Sequence, residues 1–212
     1  LAEAGRIAVK ICGLTTPEAV DAAAGADAIG FMFVATSPRA LSPAAARPLI
    51  ARARPLAVGV FQDADDALLA AAVAAGIGAL QLHGQEPPAR LAELKTRFGL
   101  PVWKAQGVRC AADIAALARA FPHADALLLD ARAPQGAAHA GGHGLKLDWG
   151  MVAEARPARP WILAGGLSAD NVGLAIARSG ARYVDASSGL EDAPGVKSLA
   201  KIAAFLAEAR RG

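Results

Sequence analysis

The sequence predicts an α/β protein built as a single (β/α)8 barrel, and three observations point there. Short β-like runs alternate with Ala-rich helical stretches, eight of each, the signature of parallel βα units. Neither G-x-G-x-x-G nor G-x-x-x-x-G-K-[ST], the Gly-rich fingerprints of doubly wound sheets, occurs. The 212 residues suit one barrel, a fold that typically runs to about 250. The expectation is one catalytic domain over residues 1–212, with no linker, solenoid repeat or low-complexity tail.

The predicted strands are 6–12, 28–33, 56–61, 79–82, 102–106, 126–130, 161–164 and 183–186. Between them fall helices at 17–25, 43–53, 63–75, 87–98, 110–120, 148–154, 168–178 and 197–210. Helix starts are marked by Thr16-Pro17-Glu18, Ser42-Pro43, Asp63 and Ser168-Ala169-Asp170, which offer N-caps, Pro at the first position or acids in the first turn. The longest stretch without a secondary-structure signal is 131–146, rich in glycine at 136, 141, 142 and 144. A loop of that length inside a compact domain is usually functional.

Composition narrows the function classes. Net charge is +3, with Arg and Lys scattered rather than gathered into a stripe with aromatics, so nucleic acid is not an expected partner. Mild basicity suits anionic substrates. Hydrophobic residues make up 54% of the chain, but the longest apolar run, 67–80, falls short of the ~20 residues a bilayer span needs. No basic leader with an apolar centre opens the chain, and the expectation is a soluble cytoplasmic protein, monomer or homodimer, without a membrane partner. Two cysteines, Cys12 and Cys110, allow neither a disulfide framework nor a four-cysteine zinc site. His139 and His143 are four apart but sit among glycines rather than on a helix, so no metal is expected.

In a barrel the active site forms where the strands end at their C-termini. The first strand ends Lys10-Ile11-Cys12-Gly13. Period two puts Val9 and Ile11 on the helix-facing side and points Lys10 and Cys12 inward. A cation beside a cysteine lowers the thiol pKa and makes it a usable base or nucleophile; the alternative is a small buried hydrophobe, the commoner fate of a free cysteine. The sixth strand ends on Asp130 after three leucines, placing a carboxyl for acid–base work, with an N-cap or loop salt bridge as the alternative. Gly165-Gly166-Leu167-Ser168 and Asp185-Ala186-Ser187-Ser188-Gly189 follow strands seven and eight, where barrels often bind phosphate. Ser37-Pro38-Arg39 offers a guanidinium for a second anion, or an ordinary surface arginine. Gln81-Leu82-His83-Gly84 places two polar residues at the end of strand four. Cys110 reads as a structural residue within the fifth helix.

These motifs, in this order, closely resemble the phosphoribosylanthranilate isomerases of tryptophan biosynthesis. The resemblance runs from residue 9 to about 198 and is carried by Val9-Lys10-Ile11-Cys12-Gly13, Gly30-Phe31-Met32-Phe33, Ser37-Pro38-Arg39, Val58-Gly59-Val60-Phe61 and Gln81-Leu82-His83-Gly84. It continues through Leu129-Asp130, Gly141-Gly142-His143-Gly144, Asp148-Trp149, Leu163-Ala164-Gly165-Gly166-Leu167 and Val184-Asp185-Ala186-Ser187-Ser188-Gly189. It implies an Amadori rearrangement of a small substrate bearing phosphate and carboxylate, with Asp130 as general acid and Cys12 as general base. It further implies that Arg39 holds the anthranilate carboxylate and that the loops at Gly165-Gly166 and Ser187 to Gly189 bind phosphate. Lys10, Gln81, His83, Gly142, Gly144 and Asp185 complete the implied substrate site, and no metal or redox cofactor is called for. His143 stands where the family usually has Thr or Ser, and Leu147 where it usually has Phe. The alternative function is a non-catalytic or differently specific phosphosugar-binding barrel.

Overall fold

The structure, a computed structural model, describes residues 6–131, 147–155, 157 and 159–211. The first half runs β1 (Ala8–Cys12), α1 (Pro17–Ala22), β2 (Ala28–Met32), α2 (Pro43–Arg52), β3 (Leu56–Phe61), α3 (Asp66–Ala75), β4 (Ala79–Leu82) and α4 (Pro88–Phe98). The second runs β5 (Val102–Val108), α5 (Ala111–Ala120), β6 (Ala126–Ala131), α6 (Trp149–Ala155), β7 (Trp161–Leu163), α7 (Val172–Ser179) and β8 (Tyr183–Ala186). A short 3₁₀ helix (Ser188–Leu190), the strands β9 (Glu191–Ala193) and β10 (Val196–Lys197), and α8 (Leu199–Ala209) close the chain. Strands β1 to β8 are parallel and form a closed barrel in sequence order, β8 pairing back onto β1. The expected eight-stranded barrel is the observed one. Among the described residues no helix is long and apolar enough to cross a membrane.

Two-residue periodicity divides the apolar residues into two layers. Ala28, Val58, Ala79, Trp103, Leu128 and Ile162 pack inside the barrel. Their strand neighbours, Val9 and Ile11 among them, join the larger layer between sheet and helices. The helices bury matching stripes: Ile202, Phe205 and Ala209 on α8 lie at helical spacing and are fully covered.

Local chemistry sets the helix starts, with three corrections to the sequence expectation. Thr16 and Ser42 cap α1 and α2, accepting from the amides of Ala19 at 3.3 Å and Ala45 at 3.2 Å. Helix α3, however, is capped by Asp65, which accepts from the Leu68 amide at 2.8 Å, and not by Asp63. Asp63 has φ 48°, and its carboxylate accepts from the Gln85 amide at 2.7 Å, tying the loop after β3 to the loop after β4. Helix α7 begins at Val172 rather than 168. Ser168 instead enters a turn held by Asn171, whose side chain accepts from the Ser168 amide and donates to the Gly166 carbonyl, both at 2.9 Å. The antiparallel pair β9–β10 was not expected, and it moves the start of the last helix from 197 to 199.

One device recurs at the bottom of the barrel. The amide of Asp27 donates to the Val9 carbonyl, while its carboxylate accepts from the Val9 amide at 2.8 Å. Asp125 does the same to Val102, with a carboxylate contact of 2.9 Å. Each aspartate sits in an Ala-Asp-Ala entry to its strand and satisfies a strand amide that would otherwise be unpaired. Replacing Asp125 by Ala is expected to cost about 1–3 kcal/mol, the penalty of an unmet amide. Asp125→Asn, which keeps an acceptor, recovers most of it. Urea unfolding of the two variants checks the difference.

Candidate active site

A cleft opens at the C-terminal ends of the strands, lined by Cys12, Arg39, Gln81, His83, Asp130 and Ser187 together with apolar side chains such as Met32 and Val60. Alternation along β1 turns both Lys10 and Cys12 to the barrel interior, as the sequence implied. Lys10 is fully buried, and its amine donates to Asp185 Oδ1 at 2.9 Å. These residues are register partners across the β1–β8 seam. Burial opposes the charged amine, but Asp185 and the Cys12 thiol more than offset it and raise its pKa. Asp185, expected among the substrate contacts, is therefore first a counter-ion, although it also lines the cleft.

Cys12 is register partner to Gly30, where an added Cβ would come within 2.6 Å of the sulfur. Only a glycine at that place leaves room for the thiol. The expectation that the cation brings the thiol pKa down toward neutrality does not hold. Burial pushes Cys12 above the ordinary thiol value by more than Lys10 draws it down, and the charge of Asp185 adds a smaller upward push. Asp130 closes β6 in the same cleft. Burial, then the nearby Asp185 charge, pushes its carboxyl up to about 7, against the Ala131 amide (2.8 Å) and Lys10. His83 Nε2 lies 3.8 Å from Asp130 Oδ2. Gln81 is 2% exposed, and its Oε1 accepts no hydrogen bond from the described residues.

The two Gly-rich loops meet as the sequence implied. Gly189 packs so tightly on the loop after β7 that a Cβ would fall 2.1 Å from the Leu167 carbonyl oxygen. Gly165, with φ +89°, packs on the end of β6, where a Cβ would lie 2.6 Å from the Ala131 nitrogen. Gly166 adjoins it, and Ser188 and Gly189 fall in the 3₁₀ helix. Ser187 donates to the Cys12 carbonyl at 3.0 Å. Gly142, His143 and Gly144, like His139, lie outside the described residues. Leu147 is buried in the sheet–helix layer. Cys110 is not inside α5 but precedes it, exposed, at the N-cap position.

Arg39 is no surface arginine: it is 4% exposed. Its guanidinium grips Glu191, Nε to Oε1 at 2.5 Å and Nη2 to Oε2 at 2.7 Å. Lys197 donates to the same carboxylate at 2.7 Å and to the Ser187 carbonyl at 2.9 Å. Sequence reading passed over Glu191 and Lys197. The available signal was Pro194-Gly195, a turn dipeptide between two charged flanks. It also passed over the buried pair Lys104–Glu86 (2.7 Å), which fastens the loop after β4: Glu86 accepts from the Gly84 and Asp63 amides, and Lys104 donates to the Gly84 carbonyl.

Comparison with known proteins identifies the family. A family model described as N-(5'-phosphoribosyl)anthranilate (PRA) isomerase matches residues 9–208. The chain belongs to this isomerase family. Among its relatives in the PRA isomerase family, the protein named N-(5'-phosphoribosyl)anthranilate isomerase from Cereibacter sphaeroides is 48% identical over 209 residues, 96% of this chain and 99% of that one. A crystal structure of monomers generated from the dimeric Thermotoga maritima isomerase superposes with a TM-score of 0.84 at 31% identity, covering 97% of this chain and all of the other. Another PRA isomerase of the same fold, at TM-score 0.79 and 31% identity over 97% and 100% of the two chains, was solved with reduced 1-(o-carboxyphenylamino)-1-deoxyribulose 5-phosphate bound.

The raised pKa of Asp130 has a measurable sign. The folded carboxyl titrates near 7 against an ordinary 3.8, so the folded chain keeps a proton that the unfolded chain releases. Its contribution to stability is complete below about pH 4 and is lost as pH rises through about 7. Asp130→Asn carries no such titration. Relative to the native chain it should gain stability between pH 5 and pH 8, read from urea midpoints at the two values. Equal differences at both would show that no neutral carboxyl is buried there.

Proposed function

We propose that the chain converts N-(5-phospho-β-D-ribosyl)anthranilate to 1-(2-carboxyphenylamino)-1-deoxy-D-ribulose 5-phosphate, an aldose–ketose isomerisation by Amadori rearrangement. The observation that carries this reading is a near-neutral carboxyl, Asp130, and a thiol, Cys12, facing one cleft from β6 and β1. Family membership supports the substrate class.

Asp130, as the acid, gives its proton to the furanose ring oxygen. The bond from that oxygen to C1 breaks, and the anthranilate nitrogen lone pair forms the Schiff base. Cys12, as the thiolate, takes the proton from C2, leaving an enolamine. Ketonisation loses the proton of the C2 hydroxyl while C1 gains one, so no atom is added or lost. The enzyme ends with Asp130 ionised and Cys12 protonated, and one proton exchange restores it. Arg39 faces the anthranilate carboxylate, the loops at Gly165-Gly166 and Ser187 to Gly189 take the phosphate, and Gln81 Oε1 accepts from a sugar hydroxyl. His83, beside Asp130, orients the acid. Lys10 acts through Asp185 and the thiol. Gly142 and Gly144 belong to the loop that follows Asp130.

Asp130→Asn should abolish turnover, and Cys12→Ser should lower it by roughly 10²- to 10⁴-fold, the usual worth of a positioned acid or base. Both variants should still bind a product analogue. Loss of substrate fluorescence, which reports the anthranilate group, follows the reaction; near-normal rates in either variant would remove the assignment. The pH profile tests the pair together. The reactive form, Asp130 protonated and Cys12 ionised, carries the same number of protons as the dominant form with Asp130 ionised and Cys12 protonated. kcat/KM should therefore rise through about pH 7, where Asp130 titrates, and fall only as the raised thiol of Cys12 titrates. A maximum below pH 6 contradicts it.

A further inference from the structure

The structure assigns to Glu191 a positioning role: it holds Arg39 by one edge so that the other edge selects a carboxylate in the cleft. The inference rests on the reading of Arg39 under Proposed function and goes beyond it, because it says what makes that arginine selective.

An arginine offers two edges that match a carboxylate, one formed by Nε and Nη2 and one by Nη1 with the second hydrogen of Nη2. Glu191 occupies the first with two bonds, at 2.5 and 2.7 Å. The end-on edge alone remains for a ligand, and Arg39 lines the cleft. The stem is fixed as well. Gly13, at φ +78°, lets Arg39 pass so closely that a Cβ there would fall 2.4 Å from its Cδ. The Arg39 amide donates to Ser37 Oγ at 3.2 Å.

The β9–β10 hairpin is built to deliver Glu191. Its turn glycine, Gly195, sits against Pro38, where an added Cβ would lie 2.6 Å from the carbonyl oxygen. The Gly195 amide donates to Glu191 Oε2 at 3.3 Å. Lys197, 1% exposed at its side chain, donates to Glu191 from the other strand and ties the hairpin to Ser187. Two cations and one anion leave this buried cluster with one positive charge, which one substrate carboxylate neutralises. A buried unit charge without such a partner is costly, so a ligand lacking the carboxylate leaves the cluster unmatched.

The test compares two substrates, phosphoribosylanthranilate and the same phosphoribosylamine carrying aniline, which lacks the carboxylate. Glu191→Gln frees the guanidinium to turn. It should raise KM for the anthranilate substrate by at least roughly tenfold, about the worth of one well-made hydrogen bond to a charged group. kcat should change less, and the aniline substrate should be little affected, so the preference between the two collapses. Preference retained alongside a lowered thermal midpoint would make Glu191 merely structural and overturn the inference. Tighter binding of the anthranilate substrate would overturn it too, because Glu191 would then only be masking charge. Arg39→Ala is the control: if it keeps the preference, the reading of Arg39 itself fails, whereas loss there with retention in Glu191→Gln removes only the role of Glu191. Should Glu191→Gln not fold, Gly195→Ala, which pushes the hairpin off Pro38, carries the same expectation and the same overturning result.

Discussion

The buried ion pair of Lys10 and Asp185 is the constraint on which the rest of the barrel depends. The two residues are register partners across the seam where the last strand meets the first, and both are hidden from solvent. Removing either leaves an unpaired charge in the interior, a loss of about 3–5 kcal/mol. The pair also shapes the field at Cys12 and Asp130. Lys10 draws the thiol of Cys12 down and Asp185 pushes it up by less, but burial outweighs both and decides the thiol's pKa. The same Asp185 charge adds to burial in holding Asp130 protonated. One pair therefore closes the barrel and acts oppositely on the two groups, favouring the thiolate of Cys12 and the neutral carboxyl of Asp130.

Much of this was legible in the sequence, and the failures share a cause. Strand positions and inward-facing residues follow from short-range periodicity, so the places of Lys10, Cys12 and Asp130 could be read directly. What could not be read depends on contacts between loops distant in sequence. Asp63 has the composition of a helix cap, but its carboxylate goes to Gln85 across the rim, and Asp65 takes the capping role. The expected fall in the Cys12 pKa considered a neighbouring cation without the burial that outweighs it, or the anion on β8 that adds to the rise. The β9–β10 hairpin is five residues of strand bearing three charges, with no apolar alternation to announce it. Its importance comes from the partner it reaches, Arg39, 152 positions earlier.

Those long-range contacts lock the rim loops in pairs. The loops after β3 and β4 share Asp63, Glu86 and Lys104. The loops after β2 and β8 share Arg39, Glu191 and Gly195. The loops after β7 and β8 touch at Gly189 and Leu167, and Gly165 presses the β7 loop against the end of β6. A site fixed by mutual contact loses little on reorganising when a ligand arrives, which is how fixed donors and acceptors stabilise developing charge. Glycine recurs at these contacts for a steric reason, since backbone meets backbone or a packed side chain at distances no Cβ allows.

In the proposed reaction the raised thiol of Cys12 is at first sight a poor choice of base, because a small fraction is ionised near neutrality. The step assigned to it is removal of a proton from carbon, and there basicity counts as well as abundance. A thiolate held at high pKa is scarce but a stronger base, and proton-transfer rates rise with base strength. Asp130 makes the complementary exchange. At about 7 it keeps a substantial protonated fraction near neutrality, while remaining far more acidic than a hydroxyl. Burial thus removes population from the reactive form but increases the driving force of the carbon deprotonation. Since that form is a proton isomer of the dominant one, its share is constant between the two pKa values. Widening the gap between them would make the reactive form rarer, while closing it by lowering the thiol's pKa would make Cys12 the weaker base, so the burial of Cys12 beside Gly30 fixes the balance between the two.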